Sequence, residues 1–132
     1  MKVRRLALII ICAFVALAEI SCGGNMINPA CVTGIRVSPD TAVADHLLPA
    51  PGNQQRFLAF ADVAQGCPAI QQNLTVVTWS VSSTQDASIS NASDQTFGTA
   101  TCRNATQNPV TVTAMLSAGG QILSGSASLT CR

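Results

Sequence analysis

Residues 74–82 read LTVVTWSVS, and the alternation within them decides the fold. Val77, Trp79 and Val81 fall on one parity and Thr78 and Ser80 on the other. In a β-strand successive side chains point to opposite faces, so this is a strand with one apolar and one polar side. Trp79 is the only Trp of the chain. Its indole suits a sugar-stacking platform or a core; shared parity with Val77 and Val81 assigns it to the core. The same alternation recurs in PVTVTAML (109–116), where Val110, Val112 and Ala114 oppose Thr111 and Thr113. It recurs again in ILSGSASLTC (122–131), where Ala127, Leu129 and Cys131 oppose Ser126, Ser128 and Thr130.

Working outward, TGIRVS (33–38), TAVA (41–44), QQRFLAFADVA (54–64), ASIS (87–90) and QTFGTATC (95–102) complete the set of strands. TAVA is expected at a sheet edge, and SAGG (117–120) as the last hairpin turn. Pro, Gly, Asn and Asp punctuate the segments, and no stretch from residue 31 onward has helical periodicity. The expectation is an all-β sandwich over residues 31–132.

The N-terminus has the three parts of an export signal. MKVRR (1–5) is basic, LALIIICAFVALA (6–18) is apolar, and Glu19 ends the run. The run has 13 residues, whereas a bilayer span needs about 20, which argues against an uncleaved membrane anchor. Residues 1–21 are therefore read as a signal peptide, and the Gly/Asn/Pro-rich stretch 22–30 (CGGNMINPA) as a tether. From Cys22 onward the chain holds four Arg, no Lys and five Asp, a net charge of −1. It has no basic stripe and no interleaved aromatics, so nucleic-acid binding is not indicated.

Six cysteines remain to be placed: Cys12, Cys22, Cys31, Cys67, Cys102 and Cys131. Cys12 leaves with the signal. Setting Cys22 aside leaves an even four, with three ways to pair. Their spacing lacks the close pairs that zinc sites use, so no metal is expected.

Taken in order, IRVSP, QQRFLAFA, VTWSVSS, ASIS, GTATC and VTVTA…GGQILSGSASLT resemble the group 2 bacterial immunoglobulin-like domain, from about residue 32 to the C-terminus. The resemblance implies an immunoglobulin-like Greek-key β-sandwich of about seven strands. It also implies a role as a binding or spacer module at a bacterial surface, of the kind found in adhesins, with no catalytic residues to carry over. The chain departs from the family in having one copy, where stalks use many, and in having four cysteines. In such a sandwich, Cys31 and the loop holding Cys67 share one end, and the strands ending at Cys102 and Cys131 share the other. The resemblance thus implies disulfides Cys31–Cys67 and Cys102–Cys131. Family parity also places Phe57, Ala59 and Ala61 inward. Leu58 and Phe60 are then outward, as a candidate partner contact unless loops cover them or a bulge shifts the register.

Catalytic constellations are not indicated. The one His, His46, sits beside Asp45 in a loop, without a G-x-S-x-G nucleophile elbow. Asp40, Asp45, Asp62, Asp86 and Asp94 are scattered in turns, there is no calcium-loop pattern, and no cofactor is expected. Asn-x-Ser/Thr matches at Asn73, Asn91 and Asn104 are read as chance in a chain rich in these residues.

These observations lead to a non-catalytic cell-envelope lipoprotein, attached to a bacterial membrane by a lipid on Cys22. Its single disulfide-clamped domain would serve binding, adhesion or structural support, for a protein or glycan partner that the residues do not identify. The alternatives are a soluble secreted or periplasmic binding domain cleaved after Ala18, and a small envelope hydrolase. The lipoprotein pattern before Cys22 is imperfect: Ser21 fits, Ile20 is tolerated and Glu19 is wrong. Ala16-Leu17-Ala18 suits the ordinary peptidase. Cysteine parity and the Gly23-Gly24 tether favour Cys22 as the lipid attachment point.

Overall fold

The computed structural model describes residues 29–68 and 73–132. The expected signal peptide (1–21), Cys22 and tether residues 22–28 lie outside the described residues. The last two tether residues, Pro29 and Ala30, belong to a 3-10 turn, Pro29–Cys31. The strands are β1 (Val32–Ser38), β2 (Thr41–Ala44), β3 (Gln54–Arg56), β4 (Leu58–Val63), β5 (Thr78–Val81), β6 (Ala87–Ile89), β7 (Thr99–Cys102), β8 (Val110–Ala118) and β9 (Gln121–Cys131). The domain is an all-β sandwich.

The β8–β9 hairpin is its longest ladder, running from Val110 opposite Leu129 to Ala118 opposite Gln121. Gly119 and Gly120 make the turn at φ 58° and 79°. Positive φ at both central residues matches the twist of the flanking strands, and glycine adopts it without a Cβ penalty. The expected turn over 117–120 is thus shorter, since Ser117 and Ala118 stay in β8. Strand alternation then delivers Val110, Val112, Ala114 and Leu116 from β8, and Ala127, Leu129 and Cys131 from β9, to the core.

The ladders form three hydrogen-bonded sheets, ordered β1-β4, β2-β9-β8-β5 and β3-β7-β6. β2 lies at the edge of the four-stranded sheet, parallel to β9. The expected single strand over 54–64 is interrupted at Phe57. There the backbone changes partner, from β7 beside β3 to β1 beside β4. The Phe57 N–H donates to the Gly98 carbonyl at 2.8 Å, and its ring is fully buried. β3 and β4 are thus two halves of one run, and the two smaller sheets are two parts of one layer. Counting β1 with β2 and β3 with β4, the nine segments make the seven runs expected.

Two other strands are shorter than expected. The 74–82 strand contracts to Thr78–Val81 because Leu74 turns away and its N–H donates to the Ala59 carbonyl. The 95–102 strand starts at Thr99, after a turn in which the Asp94 carboxylate accepts from the Thr96 hydroxyl and amide. Those two bonds, the hydroxyl first, hold the exposed Asp94 carboxyl below its ordinary value of 3.8. Its support for the turn is present above that value and is lost as pH falls through the lowered one.

Trp79 sits in the core with 3% of its surface exposed, edge-on to Phe97 at 6.3 Å between centroids. This is the core role that its parity indicates. Gly125 lets the two layers approach closely, because a Cβ there would collide with the Ile35 carbonyl of β1. That contact sets β1 directly against β9, with Ile35 level with Gly125.

Candidate functional site

Cys31 joins Cys67 and Cys102 joins Cys131, with Cα separations of 5.9 and 5.6 Å. Both expected pairings are present, one at each end of the sandwich. Cys31 precedes β1 and Cys67 follows β4, so the first bridge closes the end where Val32 faces Val63. The second bridge ties β7 to β9 and so links the two layers at the opposite end. Cys102 and Cys131 are both buried, as their parity with Ala100 and Leu129 requires.

The three Asn-x-Ser/Thr positions have backbone roles that the sequence does not reveal. Asn91 accepts the Trp79 N–H at 2.7 Å and donates to the Trp79 carbonyl at 3.0 Å. Its amide thereby stands in for a neighbouring strand along the free edge of β5. Asn73 accepts from the Ala59 N–H, while Leu74 donates to the Ala59 carbonyl, which closes the outer edge of β4 in the same way. Asn104 donates to the Gln85 carbonyl. Exposed strand edges template pairing with other chains, so the Asn91 and Asn73 amides block that hazard. Replacing Asn91 with Ala is expected to cost about 1–2 kcal/mol, the loss of two partly buried backbone hydrogen bonds. A lower urea midpoint with an unchanged slope would report it; an unchanged midpoint would show that the amide contributes nothing.

Leu58 and Phe60 occupy the outer face of β4, as parity indicates, and both are half-buried. Phe60 is covered from the neighbouring strand. Arg36 lies opposite it in register, with its guanidinium 5.5 Å from the ring centroid. Arg36 also pairs with Asp62 at 3.5 Å. The candidate contact is therefore a small mixed patch with its charges already partnered.

Two more exposed apolar features lie at opposite ends. At the Cys102–Cys131 end, the loop after β2 exposes Leu47 and Leu48 at 80% and 50%. That loop is pinned by bonds from the Asp45 N–H to Gly52, the Leu48 N–H to Asp45, and the Gly52 N–H to Pro49. At the Cys31–Cys67 end, Met115 and Ile122 are exposed on the outer side of the four-stranded sheet, and Val76 is exposed in the bend before β5. No residue of β2, β5, β8 or β9 is charged. Outside this cluster, most outward side chains of that sheet are Ser and Thr.

His46 and the carboxylates are not assembled into a catalytic group. His46 Nδ1 lies 2.9 Å from the Arg132 carbonyl oxygen, so the ring N–H donates there. The Asp45 carboxylate accepts from the Leu47 N–H. Asp86 accepts from the Ser83 hydroxyl, and Asp62 faces Arg36. Among the described residues no three His, Cys, Asp or Glu side chains are grouped as metal ligands would be. No helix among them is long and apolar enough to cross a membrane.

No protein-family model matches the chain, and no curated protein matches it.

Proposed function

We propose that the chain is an exported bacterial lipoprotein, held to a membrane through Cys22, that presents one immunoglobulin-like domain for binding, adhesion or structural support without catalysis. The observation that carries this reading is the pairing of the cysteines. Cys31, Cys67, Cys102 and Cys131 bond to one another, so Cys22 has no partner among them. Disulfides form and persist outside the reducing cytosol, which agrees with an export signal over 1–21. The strand order supports the immunoglobulin-like reading. β1, β3/β4, β7 and β6 line one layer in sequence, and β2, β9, β8 and β5 the other. That is the arrangement of first, second, fifth and fourth strands against seventh, sixth and third in such sandwiches. The ordered motifs that resemble the group 2 bacterial domain point the same way.

Glu19 and the Ala16-Leu17-Ala18 site favour a second reading, a soluble secreted or periplasmic binding domain that begins at Glu19. Growth with a palmitate analogue separates the two. Label is expected on the wild-type protein and absent from Cys22→Ser; an unlabelled wild type would favour the soluble form.

A further inference from the structure

We infer that the end of the domain nearest the tether docks on the lipid bilayer itself, through Val76, Met115 and Ile122. The inference rests on the lipoprotein reading above and specifies how the anchored domain sits on its membrane.

Met115 and Ile122 share one end and one face, and Val76 lies at that same end. Ser117 lies opposite Ile122, and Met115 opposite Ser124 and Thr78. Met115 and Ile122 are therefore diagonal neighbours on the outer face of the sheet, where long side chains reach each other. Val76 stands two residues before Thr78, in the bend that opens β5. Val76 is 64% exposed and Ile122 76%, with Met115 at 37%. Thr78, Ser117 and Ser124 surround them, with no charge on any of the four strands.

The tether emerges at this same end. β1 runs alongside β9 in the same direction, with Ile35 beside Gly125 and the Asp40 carbonyl accepting from the Ser128 N–H. Val32 is thus level with the beginning of β9, where Ile122 sits. Six residues lie between Cys22 and Pro29, so the seven Cα–Cα steps reach at most about 25 Å. A lipid on Cys22 would keep the Val76, Met115 and Ile122 end close to the bilayer and leave the Leu47–Leu48 loop at the far end. A leash this short also supplies a local concentration in the millimolar range. A patch of three apolar side chains, too weak to bind from solution, would then be engaged much of the time. Of the four Arg after Cys22, Arg36 lies on the outer face of the other layer against Phe60 and Asp62, Arg56 ends β3 and Arg103 follows β7 in that same layer, and Arg132 follows the far end of β9; the chain has no Lys beyond Lys2. Docking should therefore follow apolar insertion and be indifferent to anionic lipid.

The test uses the chain beginning at Cys22, with its thiol coupled to a maleimide-bearing lipid in phosphatidylcholine nanodiscs. Docking is then measured whether or not cells lipidate the residue. Spin-labelled lipid should broaden the amide NMR signals of residues 75–78 and 115–124 several-fold more than those of residues 45–53. Replacing Val76, Met115 and Ile122 together with Ser should abolish the difference. If that variant fails to fold, Ile122→Ser alone, at the most exposed of the three, should reduce it. Broadening that is equal in the variants, strongest at 45–53, or dependent on added anionic lipid would overturn the inference. So would protection of the patch that rises with protein concentration without lipid, which would make a second copy the occupant. Failure of palmitate labelling in cells, by contrast, would sink the lipoprotein reading and leave this measurement standing.

Discussion

Replacing Cys102 and Cys131 together with Ala is expected to lower stability by about 3–4 kcal/mol, the chain-entropy value for a closed loop of this length. The bridge spans a sequence separation of 29 and joins β7 in one layer to β9 in the other. No backbone ladder connects those two strands. Without the bridge the layers meet at that end through side-chain packing and through Thr106, whose amide donates to the Cys131 carbonyl. For a domain of this size the melting temperature should drop by on the order of 15–25 °C. A drop of only a few degrees would mean that the two layers are held by their core alone. Reducing agent should lower the melting temperature of the wild-type protein in the same direction and leave the double variant's response to the Cys31–Cys67 bridge alone.

Gly98→Ala is expected to cost about 2–5 kcal/mol, combining left-handed backbone strain with overpacking of a filled core. Gly98 has φ 73° and donates its N–H to the Ser90 carbonyl. Its own carbonyl accepts from Phe57 at the break between β3 and β4. A Cβ would collide with the Phe57 carbonyl and stand 3.3 Å from the Trp79 indole. Neither neighbour yields easily: one is backbone and the other is the largest ring of the core. Gly120 provides the internal control. Its φ is 79°, yet a Cβ there meets nothing within 4 Å. Gly120→Ala should therefore cost only the backbone term, about 1–2 kcal/mol. Equal losses at the two positions, measured by urea denaturation, would contradict the packing account of Gly98.

How much of the fold is legible in the sequence differs from residue to residue. The strand parity of Val77, Trp79 and Val81 is a local property, and it placed the Trp in the core without any knowledge of its neighbours. The cysteine pairing is legible only through the family resemblance, which assigns the strand ends of the sandwich. With that, Cys31 fell beside Cys67 and Cys102 beside Cys131. The break at Phe57 was not legible, because it reflects a change of neighbour from β7 to β1 and leaves no mark in the alternation of Phe57, Ala59 and Ala61. The edge-closing amides were hidden for a similar reason: Asn91 and Asn73 reach backbone groups 12 and 14 residues away. Gly98 did carry a signal. A lone glycine inside a strand pattern marks a bulge or a close backbone approach, and in QTFGTATC the strand begins only after Gly98. The cover of Phe60 by Arg36, and the grouping of Met115 with Ile122, depend on cross-strand register, which pattern alone does not fix.

In the proposed lipoprotein, Cys22 would carry the protein to its membrane while Cys31, Cys67, Cys102 and Cys131 staple the domain. Mass spectrometry of the N-terminal peptide of the protein recovered from its native envelope tests this most directly. The expected product begins at Cys22 with a lipid on its sulfur. A chain that begins at Glu19, with Cys22 as an unmodified thiol, would contradict it.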